Sequence, residues 1–505
     1  MDREIVGKKP NFRPNGRHSS FYRSMLWLSL ILGGIWLLLS YQRGQVGALF
    51  LPTPTPTRNT QSYLLEAQAY FEAGKLDDPD PPSPTPPHPD AIDMYKLALR
   101  DDPNNPQVLS QLARIQTYSS SMLRNDTEKL ARLKEAVASA DKAVKLAPDD
   151  SQVHAIRAFV LDWYSSNYLV SEDERQRALS EANSEANRAF QLDPNNALAL
   201  AYYAEILTDQ QKWSQALTYA RKAVELNPNS MDTHRVLGYV YENRGEYNFA
   251  IREYQAAAQI SPNITFLYVL IGRLYREGIK NSNLALENFA RAANINKQLN
   301  VQNPVPYIEI ARTYSQEGQF FAAARNAEEA LRLDPGNAST YGQLGIIFIQ
   351  ARNYEGAMPL LKCAVEGCTA EENGVCTVVN CAAGTENQLK VAVEKIPLTN
   401  VTVAYFYVEY GTVMAFLSRP YENFCPQAIP VLNQVSKAYP NDPILNGIVQ
   451  DSLGICRNLA NNASSTQTST SEPGATTPTP VPQGTSPATA EPSTGTPEPT
   501  AKTGG

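Results

Sequence analysis

The sequence predicts an all-α chain: a right-handed α-solenoid of antiparallel helix pairs, with an N-terminal transmembrane helix and a disordered C-terminal tail. Three observations carry this. A 34-residue period runs through the middle, an apolar charge-free run spans Met25 to Tyr41, and Thr, Pro and Ser supply 26 of the 45 residues in 461–505. The 505 residues are 43% hydrophobic and 19% charged, which suits a chain with a core and neither a polyanion nor a coiled coil. A net charge of −7 excludes a large basic nucleic-acid-binding face, because such binding rests on clustered Lys and Arg. With 4 His there is little for a His-rich metal site.

Residues 1–24 form a basic cytoplasmic segment, in which Arg3, Lys8, Lys9, Arg13, Arg17 and Arg23 face Asp2 and Glu4 for a net +4. Residues 25–41 follow as a transmembrane helix or signal anchor. At the helical rise this run covers about 25 Å, slightly short of a hydrocarbon core of about 30 Å. Phe21, Tyr22, Trp27, Trp36 and Tyr41 suit the two membrane interfaces. By the positive-inside rule the protein is single-pass in the cell membrane, with its N-terminus cytoplasmic and its repeat region extracytoplasmic. The rival is a cleaved signal peptide, since Val46-Gly47-Ala48 resembles a small-residue cleavage site; cleavage near Ala48 would give a secreted chain. Residues 42–59 are a Pro/Thr linker whose prolines favour an extended spacer.

Residues 60–459 read as repeats. Segments 197–230 and 231–264 align without gaps, matching Tyr203 with Leu237, Ala204 with Gly238, Leu207 with Tyr241, Ala216 with Ala250, Ala223 with Ala257 and Pro228 with Pro262. Small residues at fixed spacing let two antiparallel helices approach, and the large residues form the stripe each hairpin buries on its neighbour. Unit 304–337 repeats the pattern through Ala311, Tyr314, Ala323, Ala330 and Pro335. Unit 265–299 fits with one inserted residue, and 338–367 fits through Leu344, Gly345, Ala357 and Ala364. Units 60–105, 106–150 and 151–196 share the start and finish with an enlarged turn between helices, and a degenerate ninth unit occupies about 404–442. A capping helix at 443–459 closes the array, and 460–505 is the disordered Thr/Pro/Ser-rich tail. The enlarged turns are either tolerated edge loops or a shared docking edge.

This pattern strongly resembles the tetratricopeptide repeat, with eight or nine units in register over four-fifths of the chain. The resemblance implies a protein or peptide ligand held on the concave face lined by first helices. Carried onto this chain, the family's groove positions give Tyr239, Arg273 and Arg312 at repeat position nine and Arg235 at position five. Tyr202 lies beside the groove, and Arg276 is one turn from Arg273. These six form a basic-aromatic patch suited to carboxylates, which Arg binds bidentately. The alternative is local helix pairing with Glu242, Glu277 or Glu309. The Lys and Asn combination of the family's chaperone-tail clamp is absent from every unit.

All six Cys fall within 363–456. Cys425 and Cys456 lie at equal offsets from the Pro440–Asn441 turn, which places them side by side on antiparallel helices as a disulfide. Cys363, Cys368, Cys376 and Cys381 accompany an insertion at 368–403; oxidation in an exported domain favours disulfides, with three possible connectivities, over zinc or free thiols. No metal site, cofactor or catalytic residue is expected: there is no phosphate loop, HExxH or G-x-S-x-G element, and His154 and His234 read as packed structural residues. Asp77, Asp78 and Asp80 lack calcium-loop spacing. Sequons at Asn125, Asn263, Asn337, Asn400 and Asn462 matter only if the source glycosylates exported proteins. The expected role is therefore a non-enzymatic, membrane-anchored extracytoplasmic scaffold for protein or peptide binding. Its alternatives are an accessory subunit of an envelope enzyme or secretion machine, and a cell-wall or glycan-binding surface protein.

Overall fold

A computed structural model describes residues 21–42, 59–77, 89–167, 169–378 and 389–467. The cleavage-like Val46–Ala48, most of the linker, Asp78, Asp80, His18, His88, Cys381 and the tail beyond 467 lie outside them. Helix α1, Phe21–Gln42, carries a stretch at Phe21–Ser40 that is long and apolar enough to cross a membrane. Its 22 residues reach about 33 Å, so the aromatic and serine flanks of the apolar run supply the length that the run itself lacks.

Two units follow, divided between Pro335 and Gly336. The first is a series of antiparallel helix pairs. These are α2 (Thr60–Glu72) with α3 (Ala91–Asp101), α4 (Pro106–Ser120) with α5 (Asp126–Leu146), α6 (Ser151–Ser165) with α7 (Glu172–Leu192), and α8 (Ala197–Asp209) with α9 (Trp213–Leu226). Then come α10 (Met231–Asn243) with α11 (Tyr247–Ile260), α12 (Thr265–Arg273) with α13 (Ser282–Gln298), and α14 (Val305–Gln316) with α15 (Phe320–Leu333). The second unit holds α16 (Ala338–Gln350) with α17 (Tyr354–Val365), a single turn α18 (Val375–Val378), α19 (Val401–Leu417) with α20 (Cys425–Ala438), and α21 (Pro443–Gln467). The described residues contain no strand, only two isolated bridges.

Local chemistry starts many of the pairs, though not those opened by α10, α12 and α14, whose first turns have no side-chain cap. Two residues after the closing proline stands an N-cap: the side chains of Asn105, Asp150 and Asn196 accept from Val108 N at 3.1 Å, Gln152 N at 2.8 Å and Leu198 N at 3.0 Å. Within a pair, a small residue admits a large one. Gly238 lies so close to the Tyr254 ring that a Cβ there would be 2.8 Å from it, and at Gly272 the Phe289 ring leaves 2.4 Å.

Two features depart from the simple repeat. The extra residues of units 106–150 and 151–196 do not mainly enlarge the turns, as the sequence pattern suggests; most of them lengthen the second helices. α5 and α7 have 21 residues each, against 14 in α9 and α11, which is about two further helical turns. Asn125 and Ser171 begin these helices early, accepting from Glu128 N at 2.8 Å and Glu174 N at 3.4 Å, with acidic residues filling both first turns. The residue inserted in unit 265–299 appears as a π-helical turn, Leu274–Ile279, continuing α12.

In the second unit the insertion folds back onto the repeats. Cys368 and Val393 exchange backbone hydrogen bonds of 3.0 and 2.9 Å, and buried Asn373 donates to Tyr341 Oη at 2.7 Å and to the Val391 carbonyl at 2.8 Å. Cys363 is bonded to Cys368, with Cα atoms 4.9 Å apart, and Cys376 is also in a disulfide. Cys425, at the start of α20, is bonded to Cys456 on α21, with Cα atoms 5.6 Å apart. α21 runs past the expected end at 459 because no Gly or Pro interrupts the sequence between there and Pro473.

Candidate partner-binding face

Side chains from the first helices of the first unit meet on a shared inner face, among them Arg114 and Tyr118 of α4, Tyr202 and Glu205 of α8, and Asp232 and Arg235 of α10. Across most of that face the chain meets itself. Asp232, 1% exposed at the start of α10, accepts from Tyr202 Oη at 2.7 Å, from Tyr118 Oη, and from both Nε and Nη2 of Arg114. Arg114 and Tyr118 belong to α4, three repeats earlier. Burial alone would raise the Asp232 carboxyl, but the Arg114 charge and the three donors outweigh it and hold the group below the usual carboxylate range.

Arg235, one turn along α10, makes a bidentate pair with Glu205 of α8 at 2.7 and 2.6 Å and is 4% exposed. Its guanidinium lies 5.4 Å from the Phe159 ring centre, 5.7 Å from Trp163 and 5.9 Å from Tyr118. These rings pack on one another and on Tyr202 and Phe266. Phe159 stacks on Tyr202 with centroids 4.5 Å apart, and Tyr118 stacks on Phe266 of α12 at 5.7 Å. The same closure recurs at the edges, where Asn303 donates to the Ser121 carbonyl at 2.9 Å and Gly74 lies against Asn263 and Leu299.

The remaining groups divide by charge. Tyr239 is half-buried and donates to Asp209 at 2.6 Å. Asp209 and buried Asp162 both have carboxyls pushed up, first by burial and then by neighbouring carboxylates, with the Tyr239 hydroxyl opposing the rise at Asp209. Further along, three guanidiniums converge on buried Glu309 of α14. Arg273 meets its Oε1 at 2.9 and 2.6 Å, Arg276 its Oε2 at 2.6 Å, and Arg312 its Oε1 at 3.6 Å. Burial would raise Glu309, but Arg273, Arg312 and Arg276 together hold it low. The π-helical turn carries Arg276, which also reaches Thr313 Oγ1 at 3.2 Å and Glu277 at 2.8 Å.

Of the six groove residues read from the sequence, Tyr202, Arg235 and Arg276 are thus interior and paired within the chain, although Nε of each arginine has no hydrogen-bond partner. Tyr239 is half-buried, and Arg273 and Arg312 keep 42% and 36% of their side chains exposed. The local pairing with Glu277 and Glu309 is present as well. Glu205 and Arg114 stand at the ninth repeat position and Asp232 at the second, all of them groove positions of the family, but the pattern does not show that they pair within the chain instead of with a ligand. Glu205 shares the ninth repeat position with Tyr239, but its Arg235 partner is set by packing between repeats. Among the described residues, no group of three or more His, Cys, Asp or Glu could hold a metal ion.

The tetratricopeptide repeat family model matches residues 207–263 and 308–370. No curated protein matches the chain. Among solved structures it is similar to a thermophilic TPR protein of Thermus thermophilus, at 17% identity and TM-score 0.33 over 43% of this chain and 99% of that one. It is similar to YrrB, a TPR protein with an unusual peptide-binding site, at 20% identity and TM-score 0.23 over 41% of this chain and 94% of that one. It is also similar to the APC/C hetero-tetramer Cut9–Hcn1, at 14% identity and TM-score 0.41 over 83% of this chain and 81% of that one.

Proposed function

We propose, on the premise that this is a tetratricopeptide-repeat chain, that it is a non-enzymatic scaffold, anchored by α1 and exposed outside the cytoplasm, which binds a protein or peptide partner. Tetratricopeptide repeats support binding in general, and the basic N-terminal flank of α1 and the disulfides support the location. The carrying observation is the cluster on α12 and α14. Arg273, Arg276 and Arg312 converge on buried Glu309, Arg276 is also paired with Glu277, and Arg273 and Arg312 keep exposed donors. An acidic segment of a partner would meet Arg273 and Arg312 there, since arginine accepts carboxylates bidentately. The filled inner face of α4, α6, α8 and α10 disfavours an extended peptide along the whole row.

Photo-crosslinking in intact cells tests this. Photo-reactive residues at Arg273 and Arg312 should capture one recurrent protein, and one at buried Tyr202 should not. Charge reversal at Arg273 and Arg312 should abolish capture from a reporter at Tyr239. No crosslink from Arg273 or Arg312 would remove this face as the binding surface. Protease access to residues beyond 43 in intact cells should be seen, and its absence would overturn the extracytoplasmic placement.

A further inference from the structure

His154 on α6 and His234 on α10 hold the same repeat position and make the same contacts. Nε2 of His154 lies 2.8 Å from the Pro148 carbonyl oxygen, and Nε2 of His234 lies 3.0 Å from that of Pro228, each proline six residues earlier. Nδ1 of His154 meets the Glu185 carboxylate of α7, and Nδ1 of His234 meets Glu253 of α11 at 2.7 Å. The glutamates lie 31 and 19 residues on. The difference of 12 equals the difference between units 151–196 and 231–264, so the arrangement was kept while the unit grew.

Both partners of each ring are acceptors. A carbonyl oxygen has no proton to give, and neither has an ionised carboxylate. A neutral imidazole has one N–H, so either tautomer would leave one acceptor facing a ring lone pair. Only the imidazolium donates to both. We propose that His154 and His234 are protonated staples, each clamping the turn before its repeat to the second helix of its own hairpin, so that the first unit binds two protons as it folds and is tightened by acid.

The surrounding charges agree. Glu185 also accepts from Arg157 of α6 at 2.8 Å; Arg157 in turn holds Asp141 of α5 and Glu181 of α7. Arg188 of α7 opposes the His154 charge but is paired with Asp149 at 2.8 Å. At His234, α11 contributes Glu253 and the turn before α10 contributes the Pro228 carbonyl. Both imidazoles are pushed above the ordinary histidine value, first by the glutamate hydrogen bond, with burial opposing. The next repeat shows the uncharged counterpart: Tyr268, at the same position, donates its hydroxyl to the Pro262 carbonyl at 2.9 Å.

The sign follows from the raised values. The stabilisation is complete below the unfolded histidine value of about 6.5 and is lost as pH rises through the folded value. The chain has 4 His, so the imidazole carbon-bound protons of the detergent-solubilised full chain can be followed individually through pH. His154 and His234, assigned by H154Q and H234Q, should titrate above the ordinary histidine value of about 6.5, with both ring nitrogens protonated at pH 6.5. Thermal unfolding should show a higher Tm at pH 6 than at pH 8, and the H154Q/H234Q chain should lose most of that difference. Asp162 and Asp209 shift with pH in the same direction, so the decisive quantity is the change between the two chains. Titration of both imidazoles at or below about 6.5, or a single neutral tautomer at pH 6.5, would overturn the proposal even if the variants failed to fold.

Discussion

Removing the Asp232 carboxylate tests whether the inner face of the first unit is held shut by its buried polar network. In D232A, Arg114 keeps its charge in a site where its side chain is 12% exposed, and the hydroxyls of Tyr118 and Tyr202 lose their acceptor. Breaking a buried pair by removing one partner costs about 3–5 kcal/mol. The two tyrosine bonds share that environment and do not add in full, so the expected loss is about 4 kcal/mol. D232N keeps the shape and one acceptor oxygen but not the charge, and should cost about half as much. Replacing both partners, R114M with D232L, removes the uncompensated charge and should recover most of the stability, because apolar substitutes for a buried pair are often neutral. Native-state hydrogen exchange is the suitable assay, since it reports each helix separately. In D232A the amides of α4 and α10 should lose protection together, though they are three repeats apart, while α16 and α17 should be unaffected. A loss under about 1 kcal/mol, or one confined to α10, would refute the view that Asp232 ties α4 to α10.

Other outcomes follow from packing and covalent chemistry. G272A places a methyl 2.4 Å from the Phe289 ring and should destabilise by about 1–3 kcal/mol, measured by denaturation, with F289L restoring part of the loss. Opening Cys425–Cys456, which closes 31 residues, should cost about 3.7 kcal/mol on the loop-entropy relation; C425S/C456S should therefore show earlier fraying of α20 and α21 by exchange. Intact mass before and after reduction should show at least the two defined disulfides, and alkylation of Cys363 or Cys456 without reductant would contradict them.

The helix pairs are legible in the sequence because their code is local. A closing proline, an N-cap two residues later and an Ala or Gly opposite a large ring lie within one hairpin, and each acts through contacts of a few residues. The same code explains part of the glycosylation-like triplets: Asn125, Asn337 and Asn400 are helix N-caps, accepting from Glu128 N at 2.8 Å, Thr340 N at 3.1 Å and Val403 N at 3.0 Å. The lengthened second helices read as turns by repeat alignment, although their own signals are present. Asn125 with Glu128, and Ser171 with Glu174, have the cap-and-third-residue spacing that opens a helix. The inserted residue near 275 is visible as a slip in register, but not that it would be absorbed as a π turn. That outcome is stabilised by Arg276 reaching Glu309, 33 residues away.

The inner face is less legible, and for a physical reason. A repeat position specifies which way a side chain points, but not what stands opposite. Glu205 and Arg273 both hold the ninth position, yet Glu205 is buried against Arg235, itself enclosed by Tyr118, Phe159 and Trp163, while Arg273 keeps 42% of its side chain exposed. The difference is made by α4 and α6, which supply the rings around Arg235 from 72 to 117 residues away in sequence. No window of one or two repeats contains that information. An array that curves onto itself turns part of a shared binding position into core, and each buried guanidinium must then be met by an internal carboxylate, as Glu205, Asp232 and Glu309 do here. Acidic residues on the inner face of such a chain are therefore as informative as the basic ones: a carboxylate within reach of a neighbouring repeat's arginine, as Glu205 is of Arg235, marks where the face has closed.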